Sequence, residues 1–398
     1  MGCVPELRFK EFSGEWKRNH LGNICKVQMG QSPSSKNYTE NPKDTILIQG
    51  NADLIKGKVV PRIFTTEITK ISESNDIIMT VRAPVGDLAI NEFNACIGRG
   101  VCSIKANEFI YHLLHHIKER NLWAKFSQGS TIDSVNSKDI NNLKIKIPLK
   151  EEQDKVANFL SKIDEKIAIL EDKLQLWETY KKGIMQQLFS QELRFKDDNG
   201  NSYPDWEEKT LGDLGSTYTG LSGKTKGDFG KGKPYITYKS VFDSQKIDTN
   251  KVDFVKINSN ESQNSVEYGD IFFTTSSETP EEVGMAAVLL NSINECYLNS
   301  FCFGFRLNSF EEVNPIFFSF YLRSSIIRNE INRLAQGSTR FNLSKNSLMK
   351  ISIMIPILKE QEKIARFSMD IDNKTNEIYH ELQSNDKFKK GLLQKMFC

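Results

Sequence analysis

At 398 residues, with 38% hydrophobic and 26% charged residues, the chain is too long for a single core of ordinary size and too apolar to be disordered, so two or more globular domains are expected. A formal net charge of +2 excludes a uniformly basic surface that coats nucleic acid, so any such site must be a local patch. The longest apolar run, near Ile351 to Leu358, is interrupted by Ser352 and Pro356 and excludes a membrane span there.

The first residues, "MGCVPELRF", hold no hydrophobic signal core, and Glu6 stands where a myristoylation site needs Ser or Thr, so a soluble cytoplasmic protein is expected. Seven cysteines in a chain of this size point to reduced thiols. Cys96 and Cys102 recur as Cys296 and Cys302 with no histidine close by. They read as small buried strand residues, since a zinc site wants four ligands.

In chain order, "ELRF" (Glu6 to Phe9) is followed by Trp16 and Leu21-Gly22, and Lys36, Asn37 and Tyr38 lie in the loop after Gly30. Asn75 to Ile90 and Cys96 to Ile104 read as strands with turns between them, and they place Arg82 and Arg99 beside turn glycines. A helix is predicted near Phe109 to Lys125, before a "QGST" turn that contains Ser130 and Thr131. Leu143, Ile145 and Ile147 alternate as one face of a strand, which Pro148 ends. Glu151 and Glu152 then suit the positive end of a helix macrodipole.

Along that helix Val156, Leu160, Ile163, Ile167, Leu170, Leu174, Trp177, Ile184 and Leu188 follow steps of three and four, interrupted by Lys181. This is a coiled-coil seam. "ELRF" then returns at Glu192 to Phe195, with Trp206 and Leu211-Gly212 behind it. From Gln128 onward the two copies stay in step: Gln128 maps to Gln336, Pro148 to Pro356, Glu152-Gln153 to Glu360-Gln361, and Lys181 to Lys389. The second seam, Ile364, Ile371, Ile378, Leu382, Leu392 and Met396, is wetter, with Ser368, Thr375, Asn385 and Lys389 in register. Each helix is expected to need the other, as an antiparallel coiled coil.

The chain is therefore a tandem duplication of α+β class: a β-rich domain (1–150), a long helix (151–190), a second β-rich domain (191–357) and a second long helix (358–398). A second predicted helix spans Ile316 to Ala335. The copies diverge where "TSSETPEEVG" (Thr275 to Gly284) stands in place of "RAPVG", and the second gains a glycine and lysine stretch at Gly220 to Lys233.

Enzymatic readings find incomplete parts. "NPIF" (Asn314 to Phe317) looks like a base-holding loop of adenine methylases, but it opens a predicted helix and no glycine fingerprint precedes it. "FGKGK" (Phe229 to Lys233) is too short for a phosphate loop, and the acidic pair of "PDWEEK" (Pro204 to Lys209) is contiguous. His112, His115 and His116 read as a solvated helix face, because their counterparts Phe320, Arg323 and Ser324 bind no metal. No catalytic or metal residue is assigned.

The "ELRF…W…LG" openings, the "VRAPVGDLAI…CIGRGVCSI" block, "QGST" before "IKIP", the "EEQ" and "KEQ" helix starts and the "KKG…Q" helix ends, in this order and twice over, resemble the specificity subunits of type I restriction-modification enzymes. The resemblance covers the whole chain. It implies two target-recognition domains, each reading half of a bipartite double-stranded DNA sequence. It also implies helices that bind two methyltransferase subunits, with restriction and translocase subunits joining them. S-adenosylmethionine, ATP and Mg are then expected in those partners and no cofactor in this chain. A scaffold that binds proteins only is the alternative, with self-contained DNA methylation a more distant one.

Groove readout needs Arg, Lys, amide or hydroxyl side chains on exposed turns. The candidate DNA contacts are Lys36, Asn37, Tyr38, Arg82, Arg99, Ser130 and Thr131 in the first copy. In the second they are Lys224, Lys226, Tyr238, Lys239, Thr275, Ser276, Ser338, Thr339 and Arg340.

If the paired helices act as a ruler, one heptad added to both lengthens them by about 10 Å at about 1.5 Å per residue. The preferred spacer between half-sites should then grow by about three base pairs at about 3.4 Å each. Methylation of a DNA library with randomised spacers checks this, and an unchanged preference at normal activity rules the ruler out.

Overall fold

The computed structural model describes residues 4–125 and 134–398. The chain forms two compact units, Met1–Leu174 with Ile378–Cys398, and Gln175–Glu377. Compactness thus divides the chain inside both long helices, at Leu174 and Ile378, whereas the sequence segments end where secondary structure changes.

In unit 1 a strand at Lys17–His20 pairs antiparallel with Lys144–Ile147, which brings the opening of the repeat beside the strand that precedes the long helix. A six-stranded sheet runs in the order Lys26–Met29, Val101–Lys105, Ile77–Thr80, Leu88–Ile90, Lys58–Val59, Leu54–Ile55. A five-stranded sheet contains Thr45–Ile48 beside Ala95–Ile97. The fully buried Ile77, Ile78, Met79 and Ile97 account for the apolar runs read as strands.

Unit 2 repeats this plan with fewer strands. Gly215–Thr219, Cys302–Leu307, Ile271–Thr274 and Ala286–Val288 form one sheet; Asp253–Val255, Phe229–Ile236 and Tyr297–Leu298 form another. Its helical segment is Pro315–Leu322 followed by Ser325–Arg333, not one helix over Ile316 to Ala335. Ser324 is the reason: in extended conformation, it caps the second piece by accepting from the Ile327 amide. The half-buried Arg323 fixes the break by donating to the carbonyls of Ala286, Val241, Phe242 and Ser244. In unit 1 the helix is likewise shorter than read, Glu108–Glu119, and ends before Asn121 at φ 51°.

The long helices span Lys150–Phe189 and Leu358–Met396, the first starting one residue before the expected position and the second at it. In each, a buried glutamine (Gln153, Gln361) donates to the carbonyl of the proline that ends the preceding strand, at 3.0 and 2.8 Å. Glu152 and Glu360, both buried, receive bidentate bonds from Arg8 (2.8 and 2.7 Å) and Arg194 (3.1 and 2.8 Å). These contacts join the "ELRF" and "EEQ" or "KEQ" motifs within each repeat.

Inside each unit the helices run antiparallel. In unit 1 Lys389 pairs with Asp164 and Lys166 with Glu381; in unit 2 Lys181 pairs with Asp372, and the Ser368 hydroxyl meets the Met185 sulfur. The seam residues Val156, Leu160, Leu170, Leu188, Ile364, Ile371, Ile378, Leu382, Leu392 and Met396 are buried. Ile163, Ile167, Leu174, Trp177 and Ile184 are half-buried. Leu392, Leu393, Met396 and Phe397 complete the unit 1 core around Trp16, Phe109 and Leu160. The end of the chain therefore lies against its beginning, with the Leu7 amide donating to the Lys395 carbonyl at 2.9 Å.

Two expectations are corrected here. Cys25, Cys96, Cys102, Cys296 and Cys302 are free and buried, but Cys398 is disulfide-bonded; docking of the last helical turn on the opening segment holds that cysteine in place. His112 and His116 are buried rather than solvated, because both long helices cover this face. His112 Nε2 lies 3.0 Å from the Ser161 hydroxyl, and His116 stacks on Phe397.

Burial first, and then Lys389, pushes His112 and His115 down to about 3; burial and then Arg120 pushes His116 down to about 4. The unfolded chain takes up these protons near the ordinary histidine value of about 6.5, so stability is complete above that pH and falls as pH drops below it. Between pH 7 and 5 denaturant unfolding of unit 1 should shift to lower denaturant, and His115→Gln should reduce the shift. Equal pH dependence in both proteins contradicts this account.

Candidate nucleic-acid interface

In each unit a concavity is lined by segments that the fold brings together. In unit 1 it is lined by Tyr38, Gln49, Asn51, Arg82 and Arg99, with Ser32 and Thr80. The backbone brings these together: the Val81 amide donates to the Gly100 carbonyl at 2.9 Å, the Gly98 amide to the Ile48 carbonyl at 2.8 Å, and the Arg99 amide to the Ser32 hydroxyl at 3.0 Å. A Cβ at Gly100 would stand 2.0 Å from the Gln49 carbonyl oxygen, so only glycine lets these loops touch.

Thr80 holds the turn that carries Arg82. Its hydroxyl donates to the Pro84 carbonyl at 2.6 Å and accepts from the Asp87 amide at 2.8 Å. Arg82 itself bridges to Ser134. The buried Asp53 accepts from the Gln49 and Gly50 amides and from Arg62, which shapes the loop bearing Gln49 and Asn51.

The counterpart in unit 2 is lined by Tyr238, Phe242, Ser276, Glu278, Glu282, Phe301 and Arg340. Ser276 pairs with Asn342 as Arg82 pairs with Ser134, so the two clefts occupy equivalent places in the repeat. Tyr238 opens the short helix Tyr238–Asp243 and donates to the Ser276 carbonyl at 2.7 Å. Thr275 binds the Phe301 carbonyl through its hydroxyl at 2.7 Å.

The structure thus gathers Tyr38, Arg82 and Arg99 in one cleft and Tyr238, Ser276 and Arg340 in the other. Lys36, Lys226, Lys239, Ser338 and Thr339 are exposed outside these linings. Asn37 is engaged internally, donating to Glu67 at 2.6 Å; the Ser34 amide first, and then this bond, hold that carboxyl below the usual range. Lys224 is turned inward, its side chain 4% exposed, bound to Glu261 and the Lys256 carbonyl. Ser130 and Thr131 lie outside the described residues.

Sequence reasoning missed Gln49, Asn51, Glu278, Glu282 and Phe301 in these linings. For the first two a signal was present: amides on both sides of Gly50, directly after an apolar strand.

The motifs weighed for chemistry are structural. Asn314 is a helix cap whose side chain accepts from the Ile316 and Phe317 amides. "FGKGK" is strand, bulged between Phe229 and Lys233. Glu207 and Glu208 lie in a strand paired with Ile355 and Met354. Among the described residues no group of His, Cys, Asp or Glu side chains is arranged to hold a metal ion, and no helix is long and apolar enough to cross a membrane.

Two β-rich units, each with a loop-lined cleft and an antiparallel helix pair, define a duplicated target-recognition architecture. The chain belongs to the type I restriction modification DNA specificity domain family, which it matches over residues 13–178 and 203–385. It is 34% identical over 206 residues to a Methanocaldococcus jannaschii protein assigned as type I restriction enzyme MjaX specificity subunit. That alignment covers 49% of this chain and 46% of the relative, so it spans about half of each. The chain is 23% identical to the type I restriction enzyme MjaVIII specificity subunit of the same organism, over 99% of this chain and 96% of the relative. The fold matches the S subunit of a type I restriction-modification system from M. genitalium with a TM-score of 0.64 and 18% identity, over 100% and 99% of the two chains.

Gly30 and Gly220 sit at equivalent strand ends, where a Cβ would lie 2.1 Å from the Gly98 and Asn299 carbonyl oxygens. Gly30→Ala should destabilise unit 1 by about 1–3 kcal/mol through overpacking. An unchanged unfolding midpoint would show that the backbone there yields freely.

Proposed function

We propose that this chain is the sequence-reading subunit of a type I restriction-modification assembly, with each unit reading one half of a bipartite double-stranded DNA target. One observation carries the reading: the two clefts are built on the same framework, yet their linings differ in the polar and charged side chains they present. A duplicated scaffold with divergent linings suits a target made of two dissimilar halves.

Under this reading the chain binds and positions, while bond-making resides in partners. Two methyltransferase subunits dock on the helix pair and use S-adenosylmethionine; restriction and translocase subunits use ATP and Mg. The assembly works in the cytoplasm. Exposed lysines such as Lys36, Lys226 and Lys239 supply salt-sensitive phosphate contacts that set orientation, and the clefts supply sequence. The candidate positions Asn37, Lys224, Thr275, Ser338 and Thr339 support or border these surfaces.

The test is exchange of one unit's reading surface. Replacing 193–348 with the corresponding segment of a relative of different specificity should change one half of the methylated sequence and leave the other intact. A change in both halves contradicts one-unit-one-half reading. Failure of the intact chain to prefer any DNA sequence, with its methyltransferase present, favours a scaffold that binds proteins only.

A further inference from the structure

The two clefts differ in charge. In unit 1 the lining brings together two guanidiniums, Arg82 and Arg99, and two amides, Gln49 and Asn51, and among the described residues it contains no carboxylate. In unit 2 the position equivalent to Arg82 is Ser276, and the lining carries two carboxylates, Glu278 and Glu282, with one guanidinium, Arg340.

Neither Arg82 nor Arg99 has an ion pair or side-chain hydrogen bond to a described residue, and both are exposed. Other arginines of the chain are tied down: Arg8 to Glu152, Arg62 to Asp53, Arg194 to Glu360, and Arg306 to Asp270. An exposed guanidinium in a concavity, without a partner among the described residues, is placed to donate to something outside the chain. The backbone that carries the pair is fixed by the Val81–Gly100 and Arg99–Ser32 bonds, so little reorganisation accompanies binding.

Two acceptors are open to such a donor: phosphate oxygens, or the O6 and N7 edge of guanine. The flanking amides favour the second. The NH2 groups of Gln49 and Asn51 can donate to either, but their carbonyl oxygens add acceptors that only the amino groups of base edges can use.

We propose that Arg82 and Arg99 are specificity-determining residues that read guanine in the major groove, so that the half-site bound by unit 1 requires guanine where they reach. This rests on the DNA-reading function proposed above and goes further by naming the base and the side chains. The paired-arginine reader belongs to unit 1 only, since unit 2 has Ser276 in place of Arg82 and a single cleft guanidinium, Arg340, beside Glu278 and Glu282.

The test uses the full-length chain with duplexes selected from a randomised pool. One half-site should hold at least one fixed guanine. Arg82→Ala or Arg99→Ala should relax preference at such a position by roughly 10- to 100-fold, with the other half-site unchanged. Wild-type protein on DNA with 7-deazaguanine there should show a comparable loss, because N7 is the acceptor removed; this arm needs no variant to fold. Uniform weakening across all sequences with a shallower salt dependence would make the arginines phosphate contacts and overturn the proposal. Loss of discrimination at an A·T pair alone would overturn it too. Absence of any sequence selection by the wild-type chain would instead remove the DNA-reading function itself.

Discussion

A buried arginine–carboxylate pair at the start of each long helix is the constraint on which the architecture rests. Glu152 and Glu360 are 2% and 0% exposed, and each accepts two bonds from the guanidinium of its "ELRF" motif. Trp16 adds a third bond to Glu152 at 3.2 Å, while the arginines also donate to the Gly14 and Pro204 carbonyls. A carboxylate this deep is tolerable only when paired, and loss of one partner typically costs about 3–5 kcal/mol. Its position in the first helical turn adds the favourable field of the helix N-terminus. The pair therefore sets where each helix leaves its domain.

The fold was legible in the sequence wherever the signal was periodic or duplicated. Strand alternation at Leu143, Ile145 and Ile147, the proline stop and the three-four seam each follow from local geometry. The partners of the repeated motifs were not legible, because Arg8 and Glu152 are 144 positions apart and a single sequence carries no distance between them. The histidines were misread for a related reason. A helical wheel shows His112 and His116 as polar, and only the tertiary arrangement places both helices over them. Of the site, the arginines on glycine turns were legible from residue type; the inward turn of Lys224 was not, since exposure of a lysine depends on the loop that folds over it.

Duplication explains why the clefts can diverge while the framework cannot. The Arg–Glu pair, the glutamine bond to the proline carbonyl and the glycine at the strand end all recur, and each is an internal contact that a single change would break. Cleft side chains such as Arg82 and Glu278 are exposed on segments held by backbone bonds, so they are free to vary without cost to the core. Variability here follows from the way the loops are held.

The polar residues of the second seam fit the same logic. Ser368 and Thr375 return their hydroxyls to the carbonyls of Ile364 and Ile371, and Asn385 donates to the Glu381 carbonyl, so each polar group is satisfied by its own helix. Such residues weaken the seam without orphaning a donor. Lys181 and Lys389 act differently, since each meets an aspartate of the other helix, and those aspartates, Asp372 and Asp164, are themselves repeat equivalents. A seam of aliphatic residues alone would tolerate a slide of one heptad. A half-buried lysine facing an aspartate does not, because sliding would strand both charges in an apolar setting. The interruption in each seam is thus the feature that fixes antiparallel register within each unit.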